Sequence, residues 1–147
     1  YDGSHENCGL HFHVSRNDFL VHTEDFLWRI VNKFHREFTI LSSRKDLGKL
    51  ERYAKFFPNS VNKFQQTNRY CAINLFPINT VEFRFPAGLN KMYEWVGFAE
   101  IFLGLVEWAR KRNYSAKILN AFTFETLRNS IPEWNLSEAR KLLTRVR

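Results

Sequence analysis

Two short segments in which polar and apolar residues alternate carry the side chains best suited to chemistry. Such alternation predicts β-strands, because successive side chains of a strand point to opposite faces. The polar faces of segments 9–15 and 80–85 together hold two imidazoles, a carboxylate and a guanidinium. These groups belong to His11, His13, Glu82 and Arg84. If the two strands bury their apolar faces in one sheet, the four groups meet on the other face, where we predict a metal and phosphate site.

Each of the four residue types has a defined use in such a site. His11 and His13 lie two residues apart on a strand, so they present two ring nitrogens to one centre. A carboxylate at Glu82 is costly to bury unless it is paired or bound to a metal, and a salt bridge between Glu82 and an arginine is the structural alternative to a metal site. Arg84 cannot bind a metal, but a guanidinium holds phosphate or carboxylate with two parallel hydrogen bonds. The set predicts binding of a nucleotide–metal complex.

A third strand is predicted over residues 70–76, and Pro77-Ile78-Asn79 forms a turn that makes it the hairpin partner of 80–85. Asn74 belongs to this strand and is a further candidate for binding the cofactor. Asn68 and Arg69 precede the strand and are candidates for contacting the same anion.

Helical spacing of apolar residues predicts the elements that support the sheet. The expected helices run from about Glu24 to about Leu41, from Leu47 to Phe56, from Asn90 to about Arg112, and over 116–122, 123–130 and 136–145. Residues 61–68 are polar and predict a loop or a single helical turn. The predicted fold is α+β, with a short antiparallel sheet packed by its apolar face on aromatic-rich helices.

The composition supports one domain with a substantial core. The chain has 147 residues, of which 44% are hydrophobic and 16% aromatic. No apolar run reaches the roughly 18 residues that a membrane span needs. Cys8 and Cys71 match no disulfide framework or paired-cysteine metal motif, and Cys71 falls on an apolar strand face. We therefore expect a buried thiol and a reducing, cytoplasmic setting.

The positive charge of the chain favours anionic partners. The net charge is +7, and residues 108–147 contribute +6 of it, from nine Lys or Arg against three Asp or Glu. Nucleotides and acidic substrates suit such an uneven charge, and a solvated basic surface that aids solubility accounts for it equally well. No regular alternation of aromatic and basic residues is present, which argues against nucleic acid as the partner.

The same motifs resemble a known superfamily. The stretch from Cys8 to Ser15 resembles the Gly-x-His-x-His strand of the glutamine synthetase and glutamate–cysteine ligase superfamily, and is closest to its amidoligase branch. Residues 80–85 resemble the Glu-x-Arg strand of that superfamily, which a turn and a long apolar helix follow, as here. Asn68-Arg69 lies upstream of that strand, as an Asn-Arg pair does in glutamine synthetases. The agreement in order and spacing extends over about residues 7–110.

The resemblance implies an ATP-dependent ligase that joins a small-molecule or peptide carboxylate to an amine through an acyl phosphate. It implies that His11 and Glu82 hold Mg²⁺ or Mn²⁺ and that His13 contacts phosphate. Arg84 is implied to stabilise the transferring phosphoryl group, and Arg69 is placed with it among the catalytic residues. Asn68 and Asn74 are placed with His13 at the cofactor.

The resemblance also implies a catalytic domain that extends beyond this sequence. Members of the superfamily use a strand of closely spaced glutamates, upstream of the histidine strand, and this sequence has no Glu-x-Glu pattern. We expect residues 1–147 to form the C-terminal part of a longer domain. Residues 1–112 would contain the sheet and its packing helices, and 113–147 a helical extension. An upstream segment or another chain would complete the site, and without either this piece would be inactive.

Two other functions agree with the residues. A His-x-His pair and a glutamate can hold Zn²⁺ or Fe²⁺ in a small hydrolase or a cupin-like protein. The chain can also be a basic interaction domain without enzymatic activity, in which the histidines and the glutamate are structural.

Overall fold

Seven α-helices and a three-stranded antiparallel sheet make up the part of the chain that the computed structural model describes, which is residues 9–20, 22–58, 68–88, 91–111 and 116–146. The predicted α+β class is confirmed. In chain order the elements are β1 (Phe12–Ser15), α1 (Thr23–Lys33), α2 (His35–Leu41), α3 (Leu47–Tyr53), β2 (Ile73–Asn74), β3 (Thr80–Phe83), α4 (Met92–Arg110), α5 (Ala116–Ala121), α6 (Phe124–Ser130), a 3₁₀ helix (Pro132–Asn135) and α7 (Ser137–Leu143).

The sheet has the order β1-β3-β2, so the strand that carries Glu82 is central. In the antiparallel register, Glu82 lies opposite His13 on β1 and opposite Asn74 on β2. The predicted hairpin between β2 and β3 is confirmed, although each strand is shorter than its sequence pattern indicated. Gly9 extends the pairing by an isolated bridge to Ala87.

Aromatic rings cover the apolar face of the sheet, as alternation on the strands predicts. Helix α4 lies across this face, where Phe102 stacks on Phe83 with ring centroids 4.2 Å apart. The ring of Phe12 meets Phe102 edge-on at 5.2 Å. Because this face is filled by side chains from α4, the polar face of the same strands is left available for a site.

The single helix predicted from about Glu24 to Leu41 is divided into α1 and α2 at Phe34. Near the break, the side chain of Asn32 donates to the carbonyl of Trp28 at 2.8 Å and accepts from the backbone N–H of Phe57 at 2.7 Å. A side chain that bonds to the carbonyl one turn back competes with the helical backbone. Periodicity of apolar residues does not register this competition, which is why the pattern predicted one helix.

Two glycines of α4 allow the C-terminal elements to pack closely against it. A Cβ on Gly97 would lie 2.8 Å from the carbonyl oxygen of Glu138 and 2.7 Å from a methyl of Leu142, both on α7. A Cβ on Gly104 would lie within 3.0 Å of Glu133 and Ile131, at the 3₁₀ helix. The close approach of α7 to α4 therefore requires the missing side chain at Gly97.

We expect Gly97→Ala to destabilise the fold by about 1–3 kcal/mol, the usual cost of overpacking a core. The clash involves backbone of α7, which cannot rotate away as a side chain can. Urea unfolding measures the loss. Gly48→Ala in exposed α3 is the control and should change stability by less than about 1 kcal/mol, because alanine favours helix and its Cβ would approach only the Asp46 side chain, at 3.1 Å. Equal stability of the two variants would contradict the packing argument.

The predicted buried thiol is confirmed at Cys71, which is 1% exposed, and burial raises the pKa of its thiol to about 11. Cys8, Asn90 and most of the predicted loop over 61–68 lie outside the described residues. Within the described ranges, no helix combines the length and the apolar character needed to cross a membrane.

Candidate functional site

The candidate site is built around the carboxylate of Glu82, which is buried at the centre of the polar sheet face. Its Oε1 atom lies 2.7 Å from Nη1 of Arg84 and 2.9 Å from Nδ1 of His11. Its Oε2 atom accepts a hydrogen bond from the side-chain amide of Asn74 at 2.6 Å. These three donors, together with the charge of Arg84, offset the cost of burying a residue that is only 5% exposed.

Strand geometry accounts for this meeting of residues. His13, Glu82 and Asn74 form one row across the three strands. His11 and Arg84 lie one pleat further along, because side chains on the same face recur every second residue. The structure therefore brings His11, His13, Glu82, Arg84 and Asn74 together.

The ring of His11 is oriented by Glu82. Nδ1 of His11 lies 2.9 Å from a carboxylate oxygen, which can only accept hydrogen bonds, and this favours the tautomer with the proton on Nδ1 and the lone pair on Nε2. Nη1 of Arg84 lies further from the same nitrogen, at 3.5 Å. Burial lowers the pKa of His11 below its ordinary value of 6.5, and the charge of Arg84 lowers it further. The neutral ring is thus favoured at pH 7.

The lowered pKa of His11 predicts a specific loss of stability in acid. As the pH falls through 6.5, the unfolded chain takes up a proton at His11 before the folded chain does. Stability that is present above this pH is therefore lost as the pH falls from 6.5 toward the lower pKa of the folded state. In His11→Gln this contribution is absent, so urea unfolding from pH 8 to pH 5 should show a shallower decline than in wild type. Parallel declines would contradict the assignment.

His13 is the more accessible of the two histidines. Its side chain is 50% exposed, with Nε2 at 3.7 Å from Glu82 Oε1. Its Nδ1 lies 3.1 Å from the hydroxyl of Thr80, which shares its face of the sheet. This contact to Thr80 orients the ring, and the half-exposed side chain can reach a bound anion.

Arg84 is held between the carboxylate and an aromatic ring. Its side chain is 11% exposed, and its guanidinium lies 5.8 Å from the centroid of Tyr70. The backbone carbonyl of Ala72, just before β2, accepts from the Arg84 N–H at 2.9 Å. The Nε atom of Arg84 is buried without a hydrogen-bond partner in the described part of the chain. Arg84 therefore retains donor capacity that its contact with Glu82 does not use.

Asn68 and Arg69 lie at the margin of the cluster. The side-chain oxygen of Asn68 accepts from the backbone N–H of Tyr70 at 2.8 Å, a contact that shapes the turn into β2. Arg69 donates to the hydroxyl of Tyr70 at 3.2 Å, and this hydrogen bond, with a smaller contribution from the charge of Glu82, raises the pKa of Arg69. The structure thus places both residues beside Tyr70, and Arg69 within electrostatic range of the carboxylate.

Arg44 is a neighbour of the site that the sequence motifs did not indicate. Its guanidinium donates to the carbonyl oxygens of Phe85 at 2.9 Å and Pro86 at 3.1 Å, just beyond β3. It lies in the space that Gly9 leaves open, since a Cβ on Gly9 would be 2.4 Å from Nη2 of Arg44 and 3.6 Å from Nε2 of His11. Gly9, at the start of the His-x-His motif, is the feature of the sequence that could have indicated this neighbour. A glycine there indicates that another group approaches the backbone closely, but it does not identify the group.

The charges of this face favour an anion. Arg84 contacts Glu82, Arg69 lies within electrostatic range of that carboxylate, and Arg44 lies beside Arg84 and His11. Burial, with the charge of Arg84, lowers the pKa of Arg44, as expected when cations are held close together. Phosphate or carboxylate groups would relieve this repulsion.

A divalent ion fits this face only if other ligands complete its shell. Within the described residues, no group of three or more His, Cys, Asp or Glu side chains is arranged to hold a metal ion. A carboxylate has about four acceptor positions, and His11, Arg84 and Asn74 use three of those on Glu82. Mg²⁺ is commonly bound by one or two carboxylates plus phosphate oxygens and water, so the arrangement suits it better than Zn²⁺, which takes three or more protein ligands.

The sequence matches no protein-family model, and comparisons with curated proteins and with solved structures found no match.

Proposed function

We propose that this chain carries the nucleotide-binding face of an ATP-dependent carboxylate–amine ligase. The observation that supports the proposal is the meeting of His11, His13, Glu82 and Arg84 on one polar sheet face, with the carboxylate buried and cations in excess. The two motifs that supply these residues are the ones that resemble the glutamine synthetase and glutamate–cysteine ligase superfamily. Under the proposal, the sheet is part of a catalytic domain of that type, located in the cytoplasm.

The proposed reaction has two steps. An oxygen of the acid substrate attacks the γ-phosphorus of ATP, and the bond from that phosphorus to the bridging oxygen of ADP breaks. The amine nitrogen then attacks the acyl carbon, inorganic phosphate leaves, and the nitrogen loses a proton. Both steps move negative charge between oxygens, so positioned positive groups are the main catalytic requirement.

Each residue of the face has a role that its geometry permits. Arg84 donates to the transferring phosphoryl group with the donors that Glu82 leaves unused. His13 contacts a phosphate oxygen from the open side of the face. Glu82 and His11 would hold Mg²⁺ or Mn²⁺, which when bound neutralises phosphate charge. Asn74 keeps the carboxylate oriented.

The zinc or iron alternative receives less support. Such a site needs at least three protein ligands around one ion, and the described ranges contain no such group. Arg84 also lies 2.7 Å from Oε1 of Glu82, so an ion at this carboxylate needs an anionic ligand beside it to offset the charge of the guanidinium. A guanidinium at that place suits a phosphate ligand better than a bare cation.

The non-enzymatic alternative rests on the hydrogen bonds of Glu82, which also suit a purely structural cluster. It requires that substitutions of His11 change stability without changing the affinity of any ligand. The ligase proposal requires instead that substitutions of His11 weaken the binding of nucleotide. The two are therefore separated by a binding measurement rather than by unfolding alone.

Calorimetric titration with a non-hydrolysable ATP analogue, with and without Mg²⁺, tests the proposal. We expect binding that is at least about 10-fold tighter with the ion, since it offsets charge that would otherwise repel the carboxylate. The resemblance implies that a strand of closely spaced glutamates completes the site. The titration therefore includes that strand, whether the same protein or a partner chain supplies it. Absence of binding at millimolar nucleotide under these conditions would contradict the proposal.

A further inference from the structure

A pair of exposed tyrosines borders the candidate site on the side of β2. Tyr70 is 39% exposed and Tyr53 is 38% exposed, and their rings meet edge to face with centroids 6.3 Å apart. Large aromatic rings usually lose more of their surface to the core. This pair instead presents aromatic surface to solvent beside a buried, charged cluster.

Cations accompany both rings. The guanidinium of Arg69 lies 5.2 Å from the centroid of Tyr70 and also donates to its hydroxyl at 3.2 Å. Arg52 lies 5.2 Å from the ring of Tyr53. Flat guanidinium and phenol groups in this arrangement form a surface on which another planar group can stack.

Arg84 connects this surface to the site. Its guanidinium lies 5.8 Å from the ring of Tyr70, while its Nη1 atom bonds to the carboxylate of Glu82 at 2.7 Å. A ligand with phosphates at Arg84 and His13 would therefore have Tyr70 as an exposed aromatic neighbour. The phosphates and the base of a nucleotide are separated by a ribose, which suits adjacent rather than overlapping subsites.

We propose that Tyr70 and Arg69 form the subsite for the base of the nucleotide, with the base stacked against this aromatic and guanidinium surface. This inference rests on the proposed function, because it takes the phosphates to lie at Arg84. It gives Arg69 a role in binding the base, in addition to its predicted place beside the anion. A substrate carboxylate would use the arginines alone and would leave the exposed rings without a role.

The test compares two ligands that share a phosphate chain and differ in the base. A non-hydrolysable ATP analogue and inorganic tripolyphosphate are each titrated with Mg²⁺ in excess. Tyr70→Ala should weaken binding of the ATP analogue by about 10-fold, as expected for the loss of one stacked base. Its affinity for tripolyphosphate should stay within about 2-fold of wild type.

Two further variants serve as controls. One distinguishes the contribution of the Tyr70 ring to affinity from that of its hydroxyl, and the other tests whether removing any exposed tyrosine has the same effect. Tyr70→Phe keeps the ring and loses the contact with Arg69, so its affinity for the ATP analogue should fall by less than about 3-fold. Tyr93→Ala is the matched control. Tyr93 is 36% exposed and has Lys91 at 5.7 Å from its ring, but it lies on α4, which covers the opposite face of the sheet. Its substitution should change neither affinity.

The outcomes distinguish failure of this subsite from failure of the proposed function. If wild type binds both ligands and Tyr70→Ala weakens both equally, or neither, the base subsite is wrong and the phosphate site stands. If wild type binds neither ligand, the proposed function fails and the subsite fails with it. If a single-stranded oligonucleotide binds more tightly than the ATP analogue and Tyr70→Ala abolishes that binding, the surface serves nucleic acid and the base subsite is overturned.

Discussion

Glu82→Gln is expected to weaken Mg²⁺-dependent binding of the ATP analogue by about 100-fold, at the upper end of what loss of a group supporting a metal costs. The substitution removes the negative charge that attracts the ion and keeps the shape of the side chain. Without Mg²⁺ the sign should reverse, because a carboxylate repels phosphate and its removal lowers that repulsion. Calorimetric titration in the presence and absence of the ion measures both effects.

Glu138→Gln is the charge-matched control for this measurement. Glu138 lies on α7, which packs on α4 rather than on the polar face of the sheet, and it pairs with Lys141 at 2.8 Å. Its neutralisation should leave both affinities within about 2-fold. If Glu82→Gln weakened binding equally with and without Mg²⁺, Glu82 would orient its neighbours only, and its predicted role at the metal would be wrong.

Arg84→Met is expected to have the largest effect on stability, with a loss of about 3–5 kcal/mol, the usual cost of removing one partner from a buried ion pair. The Glu82 side chain is 7% exposed and the Arg84 side chain 11% exposed, so solvent cannot replace the lost partner easily. Methionine retains the apolar stem, which limits the change to the guanidinium. For a domain of ordinary stability, about 5–15 kcal/mol, this is a large fraction.

A double-mutant cycle measures how much of this loss comes from the Glu82–Arg84 pair. Urea unfolding is compared for Arg84→Met, Glu82→Gln and the double variant. The double variant should be more stable than Arg84→Met alone, because it no longer buries an uncompensated carboxylate. Arg29→Met is the control, since Arg29 pairs with Asp25 at 2.7 Å with both side chains about 30% exposed. Its cost should stay below about 1 kcal/mol, as for other exposed pairs. A double variant as unstable as the sum of the two single variants would contradict coupling through the ion pair.

Much of the candidate site was predictable because it lies on strands. The two-residue repeat of a strand places His11 with His13 and Glu82 with Arg84 on common faces, whatever the rest of the chain does. That the two faces belong to one sheet was an assumption of the sequence argument. The observed register, with Glu82 opposite both His13 and Asn74, confirms it.

Local sequence also predicted most of the helices. Apolar spacing indicated α4 and the C-terminal helices within a few residues of their ends, since burying an amphipathic face stabilises a helix at that period. It missed the division at Phe34 and the 3₁₀ helix at Pro132–Asn135. The division lies close to the bonds of the Asn32 side chain, which periodicity does not record, and the four-residue 3₁₀ helix is too short to show a helical repeat.

The amino-acid sequence by itself therefore determined which chemical groups share a face, because neighbours along a strand are ordered by local backbone geometry. Only the tertiary structure decided what surrounds them. Arg44 reaches the space above Gly9 from a loop far along the chain, and Tyr70 meets Arg84 across two strands. The burial of Glu82 among three donors is decided in the same way. Such contacts join residues that are distant in sequence, and they exist only once the packing of the sheet and its helices has fixed the separations between them.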